Sequence, residues 1–117
     1  MSDLDRLRKE YTNREKRFSG RDLYTSFNPG NLFAIQQRRR AILKLLEHNL
    51  CSPLSNKRIL EVGCGAGGVL LEFLIDGASP AQLCGVDLLH HRLVEANQKL
   101  PKSYLTCADG QSLPYDD

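Results

Sequence analysis

The sequence has no Trp and one Met, and aromatic residues of every kind make up only 7% of it. They form no RNP-like motif of the sort that stacks RNA bases, and neither zinc-finger spacing nor a long heptad series accompanies the basic residues. No apolar run approaches the roughly 20 residues a bilayer-spanning helix needs, so no membrane span is expected. Met1 to Arg17 contains no apolar block of signal-peptide type, and a cytoplasmic protein is expected. Cysteine is present but unpatterned: Cys51, Cys64, Cys84 and Cys107 lie 13, 20 and 23 residues apart. No CxxC pair occurs and no His lies at a zinc-ligand spacing from any of them, so reduced, structural thiols are expected and no metal site. His90-His91 would point in different directions on a helix and reads as a helix start.

What is present is a chain of 117 residues, 41% apolar and 26% charged. That is one domain at most, large enough to bury a core without disulfide or metal. The net charge of +2 hides a split. Through Lys44 basic residues outnumber acidic ones by eleven to five, and beyond it acidic residues lead by nine to five. A basic leading segment could bind nucleic acid or another anion; a solvated helical face is the plainer reading of the same residues.

Residues 1–27 are polar, with Tyr11, Phe18, Tyr24 and Phe27 scattered among them. A short charged helix over 4–17 and a loop at Ser19-Gly20 are expected. Asn28-Pro29 reads as an N-cap with Pro at the first helical position, where its fixed φ and missing N–H do no harm. Leu32, Ile35, Ile42, Leu45 and Leu46 then recur at helical spacing. Gln36, Gln37, Arg38, Arg39 and Arg40 interrupt them as one polar block, and Asn49 and Pro53 mark the end.

From Arg58 the pattern alternates. A strand over 58–62 runs into Gly63-Cys64-Gly65-Ala66-Gly67-Gly68, followed by a buried helix over 69–75 that Gly77 closes. A second strand over 83–87 precedes a helix over 90–100, with Leu93, Val94, Ala96 and Leu100 inward and Pro101 as its stop. A third strand spans 103–107. This order implies parallel strands with right-handed crossovers: a Rossmann-like, doubly wound α/β sheet of which the first three strands are present. An N-terminal helical lid segment, 1–57, precedes a cofactor-binding half, 58–117. Because the sequence stops in a loop at Asp117, a truncated domain is expected.

A strand that ends in Gly-x-Gly and passes directly into a helix brings backbone N–H groups and a helix N-terminus close to a ligand. Two fingerprints overlap here. Gly63, Gly65 and Gly68 satisfy GxGxxG, the dinucleotide pattern, and Gly63, Gly65 and Gly67 satisfy GxGxG. Asp87, at the end of the second strand, can accept both ribose hydroxyls of either cofactor. Glu61 separates the two, because a carboxylate two residues before Gly63 repels a pyrophosphate but suits an amino group or a sulfonium. Asp109-Gly110 ends the third strand, where a carboxylate can accept from an adenine amino group. These features favour S-adenosylmethionine over NAD. A nicotinamide-dependent oxidoreductase fragment and a non-catalytic binding module acting through the basic segment remain the alternatives.

Ile59-Leu60-Glu61-Val62-Gly63-Cys64-Gly65-Ala66-Gly67 resembles motif I of the class I S-adenosylmethionine-dependent methyltransferases. Gly85-Val86-Asp87-Leu88 resembles their second-strand acidic motif, and residues 108–115 resemble the segment that closes over adenine. The stretch from Phe27 to Arg38 is similar to a bacterial "type 11" subgroup often associated with glycan or small-molecule pathways. The resemblance implies a seven-stranded sheet with S-adenosylmethionine above its central strands. Gly63, Gly65 and Gly67 would pack against methionine and ribose, Asp87 and Leu88 would line the ribose end, Asp109 and Gly110 the adenine, and Glu61 the methionine amine. It also implies a small-molecule or glycan-type acceptor, while leaving nucleic acid open. The family's fourth to seventh strands have no counterpart here, so a chain inactive on its own is expected, without any general base that those strands carry, and its catalytic residues stay unassigned. Tyr24 or one of Arg38, Arg39 and Arg40 is a candidate partner for the methionine carboxylate, with a solvated basic face as the alternative reading.

Overall fold

The computed structural model describes residues 2–18 and 25–115 and divides into two compact units, 1–52 and 53–117. Tyr24 and the loop at Ser19-Gly20 lie outside the described residues.

The first unit contains two helices, α1 (Asp3–Phe18) and α2 (Pro29–His48). Ser2 and Asp5 start α1 reciprocally: the Asp5 N–H donates to Ser2 Oγ at 3.1 Å, and the Ser2 N–H donates to Asp5 Oδ2 at 3.3 Å. This is the capping-box arrangement, which satisfies N–H groups that have no partner inside the helix. At α2, Asn28 Oδ1 accepts from the Gly30 and Asn31 N–H groups at 3.0 and 3.4 Å, with Pro29 at the first helical position as expected. Asn49 caps the C-terminus, and Leu50 follows at φ +59°, a left-handed conformation that lets the Cys51 N–H reach Leu46 O at 2.8 Å. The expected apolar stripe is narrower than the sequence suggests. Ile35, Ile42 and Leu46 are half-buried in one line with Arg39, whereas Leu32 and Leu45 are exposed. At 100° per residue those two leucines stand well to either side of that line.

The second unit alternates β1 (Ile59–Val62), α3 (Gly68–Ile75), β2 (Leu83–Asp87), α4 (His90–Lys99) and β3 (Tyr104–Cys107). The strands form one parallel sheet in the order β1-β2-β3, Ile59 opposite Leu83 and Cys84 opposite Tyr104. This is a Rossmann-like α/β arrangement. Two successive right-handed crossovers in one direction place α3 and α4 on the same face of the sheet. Ile59, Glu61, Leu83, Gly85, Asp87, Leu105 and Cys107 share that face by register.

Packing explains why Gly85 stands mid-strand. A Cβ there would lie 2.8 Å from Cys64 Sγ, 2.9 Å from Leu70 Cδ1 and 3.0 Å from Leu105 Cδ2. Among the described residues Leu70, Leu83, Val86 and Leu100 are the largest fully buried side chains. Two expectations are corrected. The helix over 69–75 is not buried throughout: Leu70 alone is buried and Ile75 is 68% exposed, because the helix rests on the sheet with one side only. Val94 is not inward but exposed, since Leu93 and Ala96 already define the buried face of α4. Among the described residues β1 pairs with β2 alone, and no helix is long and apolar enough to cross a membrane.

Candidate functional site

The site lies at the C-terminal ends of the three parallel strands, where the chain must turn from β1 into α3 within five residues. It does so by alternation. Gly63, Gly65 and Gly67 all adopt positive φ, at +78°, +56° and +85°, a region that side chains with a Cβ rarely adopt. The Gly63 and Cys64 N–H groups both donate to Val86 O, at 2.7 and 3.0 Å, which draws the turn over the end of β2.

The three glycines face different surroundings. Around Gly63 a Cβ would meet no atom within 4 Å, so this position borders open space. At Gly67 a Cβ would stand 3.0 Å from Leu100 Cδ1 and 3.1 Å from Ala96 Cβ, so the loop is pressed against α4 there. At Gly65 it would stand 3.3 Å from Arg92 Nη2 and 3.7 Å from Arg92 Nε. Gly68 has nothing within 4 Å and ordinary backbone angles. The glycine that close packing demands is therefore Gly67, the third of the GxGxG pattern.

Asp87 joins the strand end to the loop. Its Oδ2 accepts from the Gly65 N–H at 2.8 Å and its Oδ1 accepts from the Leu89 N–H at 2.9 Å. Each carboxylate oxygen retains acceptor capacity for a further donor. Leu88 follows with its carbonyl 3.6 Å from Cys107 Sγ. Glu61 is half-buried on β1, opposite Gly85. Burial pushes the buried Cys64 thiol up to about 11, and the Asp87 and Glu61 carboxylates add to the effect. Asp109 accepts the Gln111 N–H at 3.0 Å in a turn that carries the chain onward from β3. Gly110 meets β1 in that turn: a Cβ there would lie 3.1 Å from Val62 Cγ1.

The expected site residues thus divide by surroundings. Gly63, Gly65, Asp87 and Leu88 gather at the tips of β1 and β2, with Gly110 reaching Val62 from the far strand. Gly67 is enclosed by protein. Sequence reasoning missed the part played by α4, which contacts three successive loop residues. Arg92 stands against Gly65, Lys99 Nζ donates to Ala66 O at 3.2 Å, and Ala96 with Leu100 encloses Gly67. The spacing 92, 96, 99, 100 puts these residues on one helical face, a signal the sequence carries. Among the described residues no group of three His, Cys, Asp or Glu side chains could hold a metal ion.

Residues 60–117 match the family model described as a methyltransferase domain, and over that segment the chain belongs to this family. It is also similar to the crystal structure of a TehB-like SAM-dependent methyltransferase from Corynebacterium glutamicum, at 24% identity and a TM-score of 0.40. The match covers 70% of this chain and 47% of that one, so the chain spans about half the length of this structural relative. No curated protein matches it.

Proposed function

We propose that this chain carries the cofactor-binding half of an S-adenosylmethionine-dependent methyltransferase acting on a small-molecule or glycan-type acceptor. The observation that carries the reading is Asp87, whose carboxylate ends β2 beside the glycine loop, accepts the Gly65 N–H at 2.8 Å and keeps further acceptor capacity. The residues fit the cofactor. Asp87 takes the ribose hydroxyls and Leu88 lies beside them. Gly63 leaves open the space that a side chain would fill. Glu61 serves the methionine amine, Asp109 and Gly110 the adenine end, and Gly67 acts through the shape it gives the loop. The cofactor itself supplies an activated methyl group, so the protein's task is to bind and align it. No residue here is assigned as a general base. Residues 1–57 are proposed as a helical lid segment.

The nicotinamide reading is disfavoured by the glycines. Its fingerprint uses the third glycine for close packing at the start of the helix, but that position is Gly68, which faces open space. Isothermal titration with S-adenosylhomocysteine and with NAD separates the two. The proposal expects binding of the first and none of the second; the reverse would refute it.

A further inference from the structure

The loop is held from the side by a charged residue that the cofactor reading does not use. Arg92 is half-buried on the first turn of α4. A Cβ on Gly65 would be 3.3 Å from its Nη2, 3.7 Å from its Nε and 3.9 Å from its Cζ. The two nitrogens are nearer than the carbon between them, so the guanidinium turns its Nε–Nη2 edge toward Gly65. Gly65 is also the residue whose N–H donates to Asp87 Oδ2 at 2.8 Å. The cation and the carboxylate therefore meet the loop at the same residue. One turn or more along α4, Lys99 bonds Ala66 O, and Ala96 and Leu100 close on Gly67.

We propose that Arg92 is a positioning residue for the glycine loop: its planar edge keeps Gly65 seated on Asp87, and through that seat it sets cofactor affinity. Left-handed backbone at three alternate positions gives the loop few ways to stabilise itself, and two long-range side-chain bonds hold it, from Gly65 to Asp87 and from Lys99 to Ala66 O. A guanidinium beside the first of these blocks the path by which the loop would lift. It also sets a positive charge beside Gly65, whose N–H the Asp87 carboxylate accepts. A lysine supplies the charge without the fixed planar edge.

The test reads the loop before it reads any ligand. Amide hydrogen exchange is followed at Gly65, with Gly67 as the internal control because its N–H donates to Cys64 O at 3.0 Å inside the same turn. In Arg92→Met and Arg92→Lys, Gly65 should exchange about tenfold faster while Gly67 stays within about twofold. Unchanged exchange at Gly65 overturns the proposal. Equal acceleration at both amides also overturns it, because Arg92 would then support the unit as a whole. Full protection in Arg92→Lys shows that charge suffices, and overturns the planar edge. The affinity arm rests on the proposed function and uses S-adenosylhomocysteine, expected to bind Arg92→Met about fivefold more weakly. Unchanged affinity overturns the link to cofactor binding. Failure of the unmodified chain to bind refutes the proposed function and leaves the exchange result to judge Arg92.

Discussion

Asp87 and Gly65, 22 residues apart in the chain, are joined by a hydrogen bond of 2.8 Å from the Gly65 N–H to Asp87 Oδ2. One carboxylate thus shapes the loop at the end of β1, keeps acceptor capacity for a further donor, and is the group proposed above for the ribose hydroxyls. Its removal should be felt in both respects. A charge-assisted hydrogen bond contributes about 1.5–3 kcal/mol, so Asp87→Ala should weaken S-adenosylhomocysteine binding more than tenfold and lower the denaturation midpoint. Titration calorimetry and a urea melt read the two effects separately.

The glycines give a graded prediction. Gly85→Ala places a methyl group under 3.0 Å from Cys64 Sγ and from Leu70 Cδ1, and overpacking of that kind costs about 1–3 kcal/mol. Gly67→Ala meets Ala96 and Leu100 and keeps a positive φ, so it should cost at least as much. Gly68→Ala meets nothing, sits at the start of α3 and should be neutral or stabilising by about 0.5 kcal/mol. Urea midpoints of the three variants rank them. A costly Gly68→Ala with a harmless Gly67→Ala would mean that the loop follows the dinucleotide pattern after all.

Much of this was legible in the sequence, and the exceptions have physical reasons. The strand at residues 83–87 and the Asn28-Pro29 helix start follow from local rules, a short apolar run after a turn and a capping residue, that need no partner. The glycine loop and Asp87 were legible because chemistry restricts which residues can stand there. Leu50 was not: nothing in a leucine announces a left-handed backbone, and its φ of +59° arises from the way α2 ends. Arg92 and Lys99 were missed because each acts on a loop far back in the chain, at Gly65 for Arg92 and at the Ala66 carbonyl, 33 residues away, for Lys99. Val94 was misjudged because an apolar side chain directly after one on the buried face looks the same in sequence as one that shares it.

Leu50 itself offers a stability test. A left-handed residue with a Cβ costs about 1–2 kcal/mol, and glycine at that position loses somewhat less than it gains. Leu50 is exposed, so little packing is lost on its removal. Leu50→Gly should raise stability by about 0.5 kcal/mol, read as a higher urea midpoint; a clear fall would show that the leucine makes a contact worth more than its strain.

Cys64 predicts a pH dependence. Its thiol lies higher in the folded chain, at about 11, than in the unfolded one, so the folded state favours the protonated thiol. The resulting contribution to stability is complete below about pH 9 and is lost as pH rises toward 11. Cys64→Ala should flatten that alkaline limb in melts run from pH 8 to 11. Iodoacetamide at pH 8 should label exposed Cys107 well before buried Cys64; early labelling of Cys64 would contradict the enclosed loop.

The central claim is that the β1–α3 loop and Asp87 together hold S-adenosylmethionine. It is tested most directly by titrating S-adenosylhomocysteine into the unmodified chain and into Asp87→Ala, with NAD as the competing ligand. The account predicts saturable binding of S-adenosylhomocysteine to the unmodified chain, a loss of more than about tenfold in the variant, and no heat from NAD. Equal affinity in both chains, or saturable binding of NAD alone, would contradict it.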